Sequence, residues 1–207
     1  MGLRKGDTAE ENSRKNAIWR PIIVLALVVV GLGFIGDPAR DVLAYDRQAI
    51  ASGQIWRLFS GHFVHTSLPH MALNLSSLLL VTYLVGRSYS LPDWLIIWIV
   101  SVAGTSAGLW FLEPQLNWYV GLSGVLHGII LAGIIAERRA LGIELWVVLL
   151  FIVGKLSYEQ VFGPLPGSAE STGAAVIINS HLYGAIAGVL GAIYPVSYTH
   201  LTLPTMQ

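Results

Sequence analysis

Apolar and polar positions along this chain fall in long blocks rather than alternating residue by residue. After a polar opening, residues 18–35 are almost wholly apolar and rich in Val, Ile and Leu. At 1.5 Å per residue such a helix reaches across most of a bilayer core. Pro21 stands near its start, where a missing N–H costs little, and Gly36-Asp37-Pro38 ends it. Similar blocks predict further helices at 70–86, 92–112, 121–136, 143–162 and 174–194. Between 37 and 69 the chain is too polar to span. It still carries Ile50, Ile55, Trp56, Leu58, Phe59, Phe63 and Val64, which predicts an amphipathic first loop lying at headgroup depth. The expected fold is an all-α integral membrane bundle of six transmembrane helices over 18–195.

Composition agrees with that pattern. Of 207 residues, 54% are hydrophobic and 12% charged, and the mean hydropathy is +0.64, far from an average soluble domain. There is no cysteine, which excludes disulfides, cysteine catalysis and thiolate metal sites. The formal net charge of +0 says little, but its distribution sets an orientation. With the N-terminus inside, Arg4, Lys5, Arg14, Lys15, Arg20, Arg87, Arg138 and Arg139 are cytoplasmic. Arg40, Arg47, Arg57 and Lys155 fall opposite, three of them beside Asp37, Asp41 and Asp46. Both termini are expected in the cytoplasm. No basic stripe suggests nucleic acid.

Residues 1–17 form a polar tail of mixed charge without the layout of a cleavable signal. At the other end, Val196-Ser-Tyr-Thr-His-Leu-Thr-Leu-Pro-Thr205 resembles one reading frame of a transposase adaptor used in DNA sequencing libraries. Residues 196–207, His200 among them, are therefore expected to be non-native translation and to contribute nothing to the fold.

Strongly polar side chains inside a span cost about 2.5–3.5 kcal/mol each at helix centre on insertion scales, so they point to function. Here they share one depth. The second, fourth and sixth predicted spans all enter from the extracytoplasmic side, and near those entrances lie His70 and Asn74, Ser123 and His127, and Asn179 and His181. Ser123 sits in Gly121-x-Ser123-Gly124, where little bulk surrounds the hydroxyl and free first-turn N–H groups can receive negative charge. His70 and Asn74, four apart, share a helix face and offer N–H donors toward one point, which suits an oxyanion hole. Gly124-x-x-x-Gly128 and Gly184-x-x-x-Gly188 are small-residue faces that let two helices approach until Ser123 and His181 touch. A neutral histidine can then activate the serine, and no third acidic residue is required for it.

His70-x-x-x-Asn74, Gly121-x-Ser123-Gly124 and His181-x-x-Gly184-x-x-x-Gly188, with Trp56-Arg57 in the first loop, resemble the rhomboid intramembrane serine proteases over essentially 18–194. The resemblance implies a six-helix core, a Ser123–His181 dyad, and an oxyanion site made by the Ser123 N–H with His70 and Asn74. Gly121, Gly124, His127, Trp56, Arg57 and Gly184 are its supporting residues. Gly61-His62, Gly121 to Gly128, Lys155-Leu-Ser-Tyr-Glu159-Gln160 and His181-Leu-Tyr-Gly184 are most similar to the rhombosortase branch. That branch implies cleavage of secreted bacterial proteins bearing a C-terminal Gly-Gly, apolar helix and basic tail, at the bacterial inner membrane. Transmembrane protein substrates and the lipid bilayer are the expected partners, and no cofactor is called for.

Many rhomboids have Tyr or Phe where this chain has His127, so its ring is expected to stack beside His181, with competition for the proton as the other option. Lys155 and Glu159 read as a structural i,i+4 ion pair at an interface rather than as catalysts. His62 and His65 read as loop residues wetted at the membrane surface, with a part in shaping the site for one of them as the other option. Rival functions are a metal-dependent membrane protease gathering His62, His65, His70, His127 and His181 around zinc, and a rhomboid-like protein that binds membrane clients without cutting them. The first lacks His-Glu-x-x-His, and the second has no need of both Ser123 and His181. An ion pathway needs polar groups across the whole bilayer, and here they stop halfway.

Overall fold

A computed structural model of the protein describes residues 17–138 and 141–201, with side chains through Ile193. The polar tail over 1–16 and the last six residues lie outside the described part, as do the side chains of the suspected adaptor segment. Helices dominate: α1 Trp19–Ile35, α2 Asp37–Leu43, α3 Arg47–Ala51, α4 Arg57–Ser60, α5 Leu68–Val85, α6 Leu91–Leu112, α7 Ser123–Ala136, α8 Ile143–Phe162, α9 Ser168–Thr172 and α10 Ile178–Leu201. A two-residue strand β1, Tyr45–Asp46, pairs antiparallel with β2, Trp118–Tyr119.

Helices α5, α6 and α8 are long and apolar enough to cross a membrane. Helix α1 passes that test only together with α2, across a 113° bend at Gly36 (φ 73°), where the chain turns into Pro38. Helix α7 and the 178–193 part of α10 are apolar but shorter. Among the described residues, then, three helices, or four with the bent pair, are long and apolar enough to cross, where the sequence pattern suggests six. Boundaries also move: α5 begins at Leu68 rather than at residue 70, α7 at Ser123 rather than at Gly121, and α10 runs Ile178–Leu201 rather than 174–194, since Gly121 and residues 173–177 are not helical.

Burial separates the helices into centre and rim. On α7, every residue from Gly124 to Ile130 is buried. On α1 and α8, Val24, Leu27, Phe34, Ile143, Val147, Leu150 and Phe151 are exposed. Large apolar side chains on the outside are what a lipid solvent requires. At 14 residues, about 21 Å, α7 is shorter than a hydrocarbon core of about 30 Å.

The central contact is α7 against α10, and glycine makes it possible. A Cβ on Gly184 would collide with the Gly124 carbonyl, one on Gly188 with the Gly128 backbone, and one on Gly124 would stand 2.7 Å from the Ser180 oxygen. Side chains near the touching glycines therefore meet across the seam.

The first loop is a chain of short helices folded back on the bundle. Arg57, buried, donates Nη1–H to the Ala44 carbonyl (2.9 Å), Nη2–H to that of Asp41 (2.8 Å) and Nε–H to Gln54 Oε1 (2.8 Å). Trp56 Nε1–H donates to the Val42 carbonyl (3.2 Å). Both residues tie the loop together. Arg47 caps the end of α6, donating to the Leu109, Trp110, Glu113 and Leu116 carbonyls.

His62 and His65 are not wetted. They are 1% and 3% exposed, because the loop packs them against α6 and α5. Ser106 gives its hydroxyl proton to the Leu58 carbonyl, so His62 Nε2–H must donate to Ser106 Oγ, 2.9 Å away. Burial pushes the His62 imidazole down to about 4; burial and then the neighbouring His70 push that of His65 to about 3.

Candidate active site

Local sequence positions Ser123. Gly121 has φ +118°, a conformation that side chains rarely adopt, and its N–H donates to the Gly61 carbonyl (3.1 Å) while its carbonyl accepts from the Tyr119 hydroxyl (2.7 Å). This held turn launches α7 two residues later, with Ser123 in the first turn, where N–H groups lack intrahelical acceptors. The space over Gly121 is taken by His70: a Cβ there would stand 2.9 Å from His70 Cε1 and 3.0 Å from its Nε2.

His181, in the first turns of α10 and 5% exposed, places Nε2 2.9 Å from Ser123 Oγ. His127, one turn along α7 from Ser123, lies on it ring to ring, with centroids 4.5 Å apart and planes at 20°. The carbonyl of Ser123 can only accept, so His127 Nδ1 carries a proton and donates to it (2.7 Å). Its Nε2 is then a buried lone pair without a partner.

A cavity of about 450 Å³ joins these groups. Ser123, His127 and His181 line it together with His70, Asn74, Lys155 and Glu159. Three helix starts, those of α5, α7 and α10, thus meet at one end of the bundle. Asn179 is directed elsewhere, donating to Glu113 Oε1 (2.6 Å), which also accepts from the Tyr183 hydroxyl. Trp56 and Arg57 do not line the cavity. Gly124 and Gly184 form the seam beneath it.

The two candidate oxyanion groups differ in readiness. Asn74 spends one amide hydrogen on the His70 carbonyl (3.2 Å) and keeps another. Thr66 gives its single hydroxyl proton to the Thr172 carbonyl at the end of α9, so it can only accept from His70 Nδ1–H, 2.9 Å away. In a neutral ring that leaves His70 Nε2 as an acceptor, contrary to the donor expected from the sequence.

The largest departure concerns Lys155 and Glu159. They do form an ion pair (2.7 Å), but it is no interface ornament: Glu159 is 2% exposed and its Oε2 lies 2.9 Å from His181 Nδ1. Lys155 Nζ is itself 3.0 Å from that Nδ1. A signal existed, since two charges within an apolar helix demand a buried partner. What the sequence lacked was the rotation of α8 about its axis relative to α10. Among the described residues no three His, Cys, Asp or Glu side chains are grouped to hold a metal ion.

The matching family is the Rhomboid domain, over residues 52–198 of this chain. The chain belongs to the rhomboid family, an integral membrane class to which the helices above are suited. It is similar to the Rhomboid protease GlpG of Salmonella choleraesuis (strain SC-B67), with 31% identity over 115 residues, covering 54% of this chain and 40% of that relative. The chain therefore matches less than half of the relative's own length.

Proposed function

We propose that this chain is an intramembrane serine endopeptidase that cuts transmembrane proteins near the extracytoplasmic face. The observation that carries the reading is the 2.9 Å approach of Ser123 Oγ to His181 Nε2 inside a cavity walled by apolar helices. Ser123 Oγ attacks the scissile carbonyl carbon as its proton passes to Nε2. The tetrahedral oxyanion is met by the Ser123 N–H and Asn74, with His70 beside them. Nε2–H then protonates the leaving amine, and water releases the acyl group from Ser123. Membership of the rhomboid family and likeness to a rhomboid protease support it.

The finer reading is a rhombosortase acting on C-terminal Gly-Gly, apolar helix and basic tail signals of secreted proteins. It rests on the Gly61-His62, Lys155 to Gln160 and His181 to Gly184 motifs. With it go a bacterial inner membrane location, six crossings, supported by the six apolar blocks of the sequence, and cytoplasmic termini, supported by the distribution of Lys and Arg.

The test is cleavage of a tagged transmembrane substrate of that design by purified protein in liposomes. Wild type cuts it, Ser123→Ala does not while remaining folded, and a strong chelator changes nothing. Cleavage by Ser123→Ala at near the wild-type rate refutes the serine mechanism. Loss on chelation with recovery on zinc favours a metalloprotease, and binding without cleavage by wild type favours a client-binding protein.

A further inference from the structure

We propose that Glu159 is a positioning residue that completes a Ser123–His181–Glu159 relay, and that Lys155 fixes which way that relay can work. The proposal rests on the serine protease reading above and goes beyond its two-residue form.

Three contacts carry it. Glu159 Oε2 is 2.9 Å from His181 Nδ1, Lys155 Nζ is 2.7 Å from Glu159 Oε1, and Lys155 Nζ is also 3.0 Å from His181 Nδ1. An ionised carboxylate has no hydrogen to give, so His181 Nδ1 must carry the proton that Oε2 accepts. The Nε2 lone pair then faces the Ser123 hydroxyl, which is the tautomer a general base needs. Lys155 is a donor only, and by itself it would place a hydrogen on Nδ1, force the proton to Nε2, and block uptake from Ser123. Glu159 prevents this by holding Lys155 on one oxygen and Nδ1–H on the other. As the proton moves from Ser123 Oγ to Nε2, the imidazolium is neutralised by the adjacent carboxylate. The proton on Nδ1 stays there, and the matching negative charge develops on the scissile carbonyl oxygen.

This geometry makes an unusual demand on substitutions. In Glu159→Gln, Lys155 donates to the amide oxygen, which turns the amide NH₂ toward Nδ1 and selects the idle tautomer. Removing the lysine as well, in Lys155→Met/Glu159→Gln, frees the amide to rotate, and its oxygen can again accept Nδ1–H. A second substitution thus restores activity lost by the first. A carboxylate that merely holds α8 to α10 predicts the reverse, with the double variant no better than the single.

The experiment uses full-length protein in liposomes with one transmembrane substrate, measuring kcat, KM and thermal midpoint for wild type, Ser123→Ala, Glu159→Gln and the double variant. Loss of the correct tautomer costs about 10⁴-fold in turnover in a soluble triad. Here Glu159→Gln is expected to lower kcat by at least about 10²-fold at nearly unchanged KM, and the double variant to recover about tenfold or more of that loss. If Ser123→Ala still cleaves, the serine reading itself falls. If Ser123→Ala is dead while Glu159→Gln turns over as wild type does, only the relay falls. Should Glu159→Gln lose its fold, the double variant decides: no faster than the single variant, it overturns the proposal.

Discussion

The His127 ring covers the face of His181, 4.5 Å away, while its Nδ1–H is tied to the carbonyl of Ser123. It thereby spans both members of the proposed dyad without a hydrogen bond to either of their reacting atoms. A flat ring is what this position uses. His127→Phe is expected to keep kcat within about threefold, and His127→Ala to lower it by about tenfold or more, because a gap beside His181 frees its orientation. Steady-state cleavage by the two variants checks this, and equal losses from Phe and Ala would show that the imidazole nitrogens matter.

Helix approach at the glycine seam is the second point. The atom that a Cβ on Gly184 meets is a backbone carbonyl of α7, which no rotamer change can move aside. Gly184→Ala is expected to push α10 from α7, lower the thermal midpoint in detergent, and cost about 1–3 kcal/mol. It should also abolish most activity by separating Ser123 from His181. Gly154→Ala on α8, with nothing within 4 Å of the new Cβ, serves as the comparison and should not destabilise.

Acid should loosen the first loop. His62 is held neutral when folded, at about 4 against the ordinary 6.5, so the unfolded chain binds the proton first. Stability attributable to His62 is complete above pH 6.5, falls as pH drops toward about 4, and levels off below. The slope is at most about 1.4 kcal/mol per pH unit for one proton. His65 adds to the same trend over a window reaching about 3. His62→Gln, which keeps a donor for Ser106, should flatten the thermal midpoint between pH 6.5 and 4. An unchanged slope would assign the effect to other groups.

Ser123 and His181 were legible in the sequence because each stood beside glycines at helical spacing, and close helix approach is a backbone property that such spacing encodes. Glu159 was not, since a Lys and Glu four apart look alike whether they face water or a histidine of another helix. His62 and His65 were misread for a related reason: a loop polar on average says nothing about which of its residues fold inward. The β1–β2 pair, two residues long on each side, is too short to leave a period-two pattern. The late start of α10 lies in residues 174–177, which follow the Gly173 cap of α9 (φ 74°) and are apolar yet not helical, so the apolar pattern alone did not mark the boundary.

Asn74 and His70 end unequal where the sequence made them partners. Asn74 has a spare amide hydrogen in the cavity, whereas His70 is turned by Thr66 so that its free nitrogen accepts. Donors aimed at an oxyanion act on charge that exists only in the transition state, and losing one costs about 2.7–4 kcal/mol in a soluble enzyme. The Ser123 N–H shares the load here, so Asn74→Ala is expected to lower kcat by about 10–10²-fold with KM little changed. His70→Ala should instead lower both kcat and the thermal midpoint, because its ring fills the space over the strained Gly121 turn that launches α7. Kinetics and melting of both variants separate the roles. If Asn74→Ala raises KM and leaves kcat intact, the amide holds substrate rather than the oxyanion; if His70→Ala melts as wild type does but loses kcat, the imidazole is a donor after all and Thr66 does not fix its tautomer.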